Sequence, residues 1–567
     1  MCYNLFTQFE EKHFRKDNPM KKTLSLILAI CTILSICSFS VAAAPEGTAI
    51  SSAAEFAAMA ADGKYYLAND ITLDATYAGP FKGTLDGNGK TITVSAPMFA
   101  AIDGATIKNL TVAGAIDGAA ADAAAVAVNA AGAVAFENIT NKATITNAAI
   151  GAGILAVADA TATVTMIGCV NEAAISTANE AAGLIGYIYN NINTITDCVN
   201  NGEINSTGGS AAGIIARFGE NSAKADVAKV IIVNCVNNAN VYTDGTQAGG
   251  MLAYLVGGTE IKGCVNKGNI TSSNNKAGGI FGTSVKDTKN VCAIAVENCI
   301  NYGTVSAPKV AAGIVGRLGR AVQLEGLNYM VKNCINYGDV KAYTAITYDK
   351  ATLYIGGIAG YAYGGSLVPA NGVVNCVNLG NITADRSHLT GASSLYIGGI
   401  VAYVNAVNFE CKNNINAGIV TINGEVTGMG NIIYNKKLEG ATAETNNYSV
   451  VAAEGATDSF TTIVTADQIA SGEVAYLINE AAGETIYYQA IGTDKAPVLT
   501  AAEDGSNTIL KNADGTFANP VKEPEVTEPE TTEPETPPTT GDSTVIFAVI
   551  AVISILGVAV VAKRREF

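Results

Sequence analysis

The chain has 567 residues, with 50 acidic against 34 basic side chains and a formal net charge of −16. Such an acidic chain is a poor partner for nucleic acid. Hydrophobic residues reach 49%, charged residues only 15%, and there are 59 glycines; that excludes a disordered chain and suits tightly stacked elements rich in small residues.

The amino end reads as an export signal. Lys21 and Lys22 precede an apolar run from Leu24 to Ile36, followed by Val41-Ala42-Ala43-Ala44, the layout of a signal peptide over 20–43 cut after Ala43. Residues 1–19 then read as an upstream extension before a start at Met20. Residues 44–105 read as an amino-terminal cap and first coils. There, Ser52-x-x-Glu55 predicts a capping box before an Ala-rich helix ending near Gly63.

Repeats fill 106–440. Cys198-Val199-Asn200-Asn201-Gly202 returns as Cys264-Val265-Asn266-Lys267-Gly268, and again from Cys299, Cys334 and Cys376. Weaker copies start at Leu110, Ile139, Cys169, Cys235 and Asn414. The interval is roughly 29 to 42 residues, a period of stacked-repeat architectures. About half a period later comes a second phrase, as in Gly278-Gly279-Ile280-Phe281-Gly282 and Gly356-Gly357-Ile358-Ala359-Gly360-Tyr361. Both phrases are short, rich in Val, Ile and Gly, and bounded by Asn and Gly, so they predict strands. The fold class expected is all-β: a right-handed parallel β-solenoid (β-helix) of about ten coils, with two or three short strands per coil. At a strand spacing of about 4.8 Å, it forms a rod of roughly 50 Å.

Repeated positions stack on themselves in such a fold. Leu and Ile share the slot of Cys198, Cys264, Cys299, Cys334 and Cys376, which favours an interior ladder of small, buried thiols. Disulfides are the alternative for an exported chain, but in-register neighbours hold Cβ atoms about 4.8 Å apart, wider than a disulfide prefers. Metal is the other alternative, but the pattern lacks CxxC pairs and clustered His; no cofactor is expected. Two residues on stand Asn200, Asn266, Asn301, Asn336 and Asn378. They predict a turn ladder, because Asn tolerates left-handed backbone and its amides can pair between coils. Asp86-Gly87-Asn88-Gly89 reads as turn chemistry.

After the repeats, Thr465-x-x-Gln468 predicts a helix running to about Asn479, inside a small α/β module at 462–520. Glu, Pro and Thr dominate the linker at 521–538, which cannot form a core. The sequence ends in Pro538-Thr539-Thr540-Gly541, an apolar run at 544–562 and Lys563-Arg564-Arg565. The run is long enough for a transmembrane helix, and the basic tail places that end inside.

The Gly-Gly-Ile-Ala-Gly-Tyr phrases resemble the GLUG motif, a short repeat of bacterial surface and adhesin-like proteins. Tyr66–Leu73, Phe81–Ile92 and Ile107–Leu110 resemble the opening coils of the same proteins. The resemblance covers about residues 50–435 and implies a β-solenoid at a cell surface, without implying an enzyme. The tail resembles the LPxTG cell-wall sorting signal of Gram-positive bacteria: Pro538, Thr540 and Gly541 match its Pro, Thr and Gly, and Pro537 replaces its Leu. By resemblance, cleavage falls after Thr540 and joins the chain to peptidoglycan through a sortase-type reaction, the membrane helix holding it until then.

Three functions follow from different classes. One is a wall- or membrane-anchored adhesin for a host or neighbour-cell ligand, glycan or matrix protein. The second is a passive stalk or coat. The third is a polysaccharide-degrading β-helix enzyme, which needs converging carboxylates that the repeats lack; no catalytic residue is assigned. Two coils are lengthened at one turn, Lys341 to Leu353 and Thr383 to Leu395. These should stack and offer Tyr343, Tyr348, Asp349, Asp385, Arg386 and His388 as a ligand face. A second turn should gather Arg217, Lys224, Lys286, Lys289, Arg317 and Arg320, as scattered solubilising charge first and as a seat for an anionic polymer in the alternative.

Overall fold

In the computed structural model the described residues are 45–219, 228–284, 293–319, 329–342, 348–349, 352–363, 371–385, 389–390, 393–405, 409–435, 443–450, 456 and 461–520. The chain divides into a unit ending at Pro520 and a second, Val521–Phe567. The expected signal peptide, Cys292, the expected linker and sorting motif, and the apolar run at 544–562 lie outside the described residues. Among the described residues no helix is long and apolar enough to cross a membrane.

The described repeats form an all-β solenoid of parallel strands stacked in register. One coil shows the pattern. Ile192–Thr196, Val199–Asn200 and Ile204–Ser206 lie in a long sheet, Ala211–Ala212 in a second sheet and Ile215–Phe218 in a third. Each pairs in parallel with its equivalent one coil on, as in Asn200 with Asn237 and Ile215 with Leu252. A coil therefore has five short strands, where two or three were expected. One of the extra breaks comes from a left-handed residue directly before the cysteine slot, such as Asp197 at φ 54 or Asn333 at φ 55. It bends the chain between Thr196 and Val199.

The core is one continuous column inside the coils. Ile185, Ile215, Leu252, Phe281, Val315 and Ala359 occupy one position and are all buried. A parallel sheet buried on its inner face needs such a run of apolar residues. The first coil is closed by a helix at Ala53–Ala57, shorter than the expected run to Gly63. Ser52 Oγ accepts from Glu55 N at 3.3 Å, and Phe56 packs on Phe99 with ring centroids 5.4 Å apart. Asp86 makes turn chemistry, accepting from Asn88 N at 2.8 Å and from Asn109 Nδ2 at 3.1 Å.

At the other end the capping box of Thr465 and Gln468 opens a helix, but it stops at Ala470. A second helix, Glu473–Ala482, starts after Gly472 at φ 83. The left-handed Gly472 breaks what the sequence suggested was one helix. These helices pack on the flank of the solenoid. Ile335, Val377 and Ile415 point outward yet are fully buried, in one cluster with Val474, Ile478 and Tyr487. The Tyr487 hydroxyl donates to the Asn375 carbonyl, and Lys332 pairs with Glu484 at 3.5 Å. The same outward column is only half-buried at Val199, Val236 and Val265.

Candidate ligand corner and the ladders behind it

Two interior ladders set the shape of every coil. Asn200, Asn266, Asn301, Asn336 and Asn378 are buried inside the coils, in short strands rather than turns. Each amide donates twice. Asn301 Nδ2 reaches Asn336 Oδ1 at 2.8 Å and the Gly303 carbonyl at 2.8 Å. Asn266 and Asn336 repeat the pattern, reaching Asn301 and Asn378 at 2.7 and 2.8 Å. None of these five has the left-handed backbone expected for it. That conformation belongs to the residue before the cysteine, where Asn375 Nδ2 reaches Asn333 Oδ1 at 3.0 Å in an outer amide ladder. The sequence carried the signal: Asn109, Asn138, Gly168, Asp197, Asn234 and Gly263 all precede the slot.

Cys198, Cys264, Cys299, Cys334 and Cys376 are buried free thiols. Burial pushes the Cys264 and Cys334 thiols well up. The slot is not set by size alone. Cys264 Sγ accepts from the Cys235 N–H at 3.4 Å and donates to the Lys262 carbonyl at 3.4 Å. Asn414 does the same work at the far end, its Oδ1 accepting from Cys376 N at 2.9 Å.

The glycine phrase folds around these ladders. Its middle Gly faces the inner amides. Its first and last small residues meet on the outside, where the second and third sheets turn toward each other. A Cβ on Gly360 would lie 2.5 Å from Val310 Cγ1, on the opposite wall of that turn. The outer surface is therefore a concave corner with a floor of Gly and Ala, running along the stack.

Its walls carry polar and aromatic side chains. On the third sheet Tyr187, Arg217, Tyr254, Thr283, Arg317 and Tyr361 occupy one column, and Tyr403 continues it. Opposite, Gln247, Lys276, Val310, Tyr354 and Tyr396 form the other. Arg217 is held between the rings of Tyr187 and Tyr254, at 4.6 and 5.0 Å, and pairs with Glu180 at 3.4 Å. Tyr354 stacks across the corner on Tyr361 at 4.5 Å and along it on Tyr396 at 5.5 Å. Tyr354, Tyr361 and Tyr403 are half-buried and Tyr396 is buried, their rings packed on one another. Burial pushes the Tyr354 hydroxyl up to about 12.

Arg217 and Arg317 thus lie on strands, at Ile215–Phe218 and Val315–Gly319, and not in the turn expected to gather them. Lys224, Lys286, Lys289 and Arg320 lie outside the described residues. The lengthened turns are also placed in part. Tyr348–Asp349 pairs in parallel with Leu389–Thr390 as a separate two-stranded sheet. Asp385 accepts from Asn423 Nδ2 at 3.2 Å. Tyr343, Arg386 and His388 lie outside the described residues. The bounds Lys341–Leu353 and Thr383–Leu395 were too wide. Ala342, Ala384, Leu353 and Leu395 are buried members of the coil strands.

No family model and no curated protein matches the chain. A solved structure from Bacteroides ovatus, described as a candidate immunoglobulin A1 protease, is 13% identical with a TM-score of 0.22, covering 80% of this chain and 92% of that one. Another, named IgA1 Protease, is 14% identical with a TM-score of 0.25, covering 56% of this chain and 20% of that one. Likeness at this level carries no argument about fold or activity. Among the described residues no group of three or more His, Cys, Asp or Glu is arranged to hold a metal ion.

Proposed function

We propose that this is a cell-surface repeat protein, exported through the segment at 20–43, anchored through Pro538, Thr540 and Gly541 and the apolar run after them, and acting as an adhesin rather than an enzyme. The observation that carries the binding role is the outer corner. A passive stalk needs only a buried core, but this chain places Arg217, Tyr254, Arg317 and Tyr361 in one outer column and sets Tyr354 against Tyr361 across the corner. Aromatic and Arg side chains are the usual anchors of binding surfaces. Of the described carboxylates on that wall, Glu180 is engaged by Arg217 and Asp122 accepts from the Ile150 N–H, two coils apart rather than converging as glycoside hydrolysis needs. Tyr348, Asp349 and Asp385 precede the strands of Tyr354 and Tyr396 in sequence and remain the second part of the proposed ligand face.

An array of glycans and matrix proteins, probed with the full chain, tests this. Saturable binding to a defined ligand, lost in Tyr354→Ala with Tyr361→Ala, supports the adhesin. Silence across the array contradicts it and leaves the stalk.

A further inference from the structure

The middle of the corner is a cluster of cations on an acidic protein. Lys276 and Arg317 stand on facing walls, and Lys309 is close enough for its charge to act on Lys276. Lys276 Nζ donates to Asn275 Oδ1, a neutral partner, at 3.1 Å. Arg317 lies over the Tyr361 ring at 5.7 Å, and its buried Nε has no hydrogen-bond partner. At the equivalent place in an earlier coil, Arg217 has Glu180; Arg317 has no ion pair with a described carboxylate. Packing like charges together in a half-buried site opposes folding. Burial, then Arg317 and Lys309, lower the Lys276 pKa to about 8.

We infer that the corner at Lys276, Arg317, Tyr354 and Tyr361 binds an acidic polysaccharide lying along the stack of coils, its carboxylates or sulfates on the two cations and its hydroxyls on the tyrosine rim. The inference rests on the surface-binding reading above and gives that site its ligand class. Three elements of the corner fit this ligand. The corner positions repeat from coil to coil along the stack, which suits a polymer. Lys276 and Arg317 have no ion pair with a described carboxylate, where Arg217 has Glu180, which suits an anion. The wall next to them is phenolic, which suits a polyhydroxyl chain. Nucleic acid fits less well, because its phosphate density calls for a broad basic surface, and the net charge here is −16.

The test is calorimetric titration of the full chain, held in mild detergent, with polygalacturonate, dextran sulfate, uncharged dextran and single-stranded DNA. The account expects saturable binding of one or both acidic glycans and binding of dextran and DNA at least about tenfold weaker. Lys276→Met and Arg317→Gln should each weaken acidic-glycan binding by about tenfold, the scale of one lost charge-assisted hydrogen bond. Lys142→Gln, in the long sheet and paired with Glu172 at 3.4 Å, should bind as the parent does. Melting curves establish that the variants fold, with Lys276→Gln in reserve. Dextran bound as tightly as dextran sulfate, or variants that bind like the parent, overturns the acidic-glycan assignment and leaves the adhesin standing. Preferential DNA binding overturns it in favour of nucleic acid. No binding here together with a silent array removes both.

Discussion

The Cβ that Gly279 lacks would sit 2.5 Å from Cγ of Asn301 and 2.0 Å from the Gly313 carbonyl. This contact joins the two repeated phrases. The glycine of one coil packs on the amide ladder supplied by the next cysteine phrase, so neither phrase can drift without the other. Gly279→Ala should therefore melt well below the parent, with a cost of about 1–3 kcal/mol from overpacking. Gly79→Ala is the comparison, since its Cβ would meet only Tyr77 at 3.7 Å. Equal melting temperatures for the two variants would contradict the contact.

Asn301→Ala removes a donor to Gly303 and Asn336 and an acceptor for Asn266. Buried groups left without partners cost about 1–3 kcal/mol each. Denaturant unfolding should show a loss larger than an amide's size implies, and Asn336→Ala should behave alike. A loss under about 0.5 kcal/mol, the range of ordinary surface substitutions, would contradict the ladder.

The thiols should be reduced and slow to react in the native chain, because they are buried and burial raises the pKa of Cys264 and Cys334. Thiol counting with and without denaturant checks this: few react before unfolding and most after. Cys264→Val should cost about 1–3 kcal/mol, because the Cys235 N–H loses its acceptor. That is more than a size-matched swap would cost.

Lys276 gives a pH signature with a fixed sign. Its folded pKa, about 8, lies below the roughly 10.4 of a free lysine. Between those values the unfolded chain holds more protons, so stability rises with pH from about 8. Tyr354 and Tyr337 act oppositely above about 10, since burial first, and nearby charges after it, hold both near 12 when folded. Over pH 7.5 to 9.5 the raised Cys264 and Cys334 thiols lower stability in parent and variant alike, so the signature in melts is the difference: the parent should gain on Lys276→Met as pH rises. A parent and variant that change by equal amounts would contradict the assignment.

Much of the fold was legible because parallel stacking writes itself into the sequence. A residue that must pair with its own copy recurs, and Asn200, Asn266 and Asn301 recur for that reason. The left-handed step was also written, as Asn, Asp or Gly before each cysteine slot, but the more regular Asn two residues beyond the slot drew the turn assignment instead. The corner was hidden for a different reason. Tyr354 and Tyr361 are seven residues apart, and only the bend at Gly356 and Gly357 brings them to 4.5 Å. The flank contact was hidden too: Ile335 and Val377 read as ordinary strand residues until the helix at Glu473–Ala482 covers them.

Fractionation of cells is the most direct measurement of the claim that this solenoid is displayed on a surface. The linker, the motif at Pro538, Thr540 and Gly541, the apolar run and the basic end stand in the order that wall sorting requires. The account predicts protein released by muramidase and resistant to boiling detergent, with Thr540→Ala shifting it to the membrane fraction. Unmutated protein that is fully detergent-soluble and still carries Lys563-Arg564-Arg565 would contradict wall attachment, and protein found inside the cell would contradict surface display altogether.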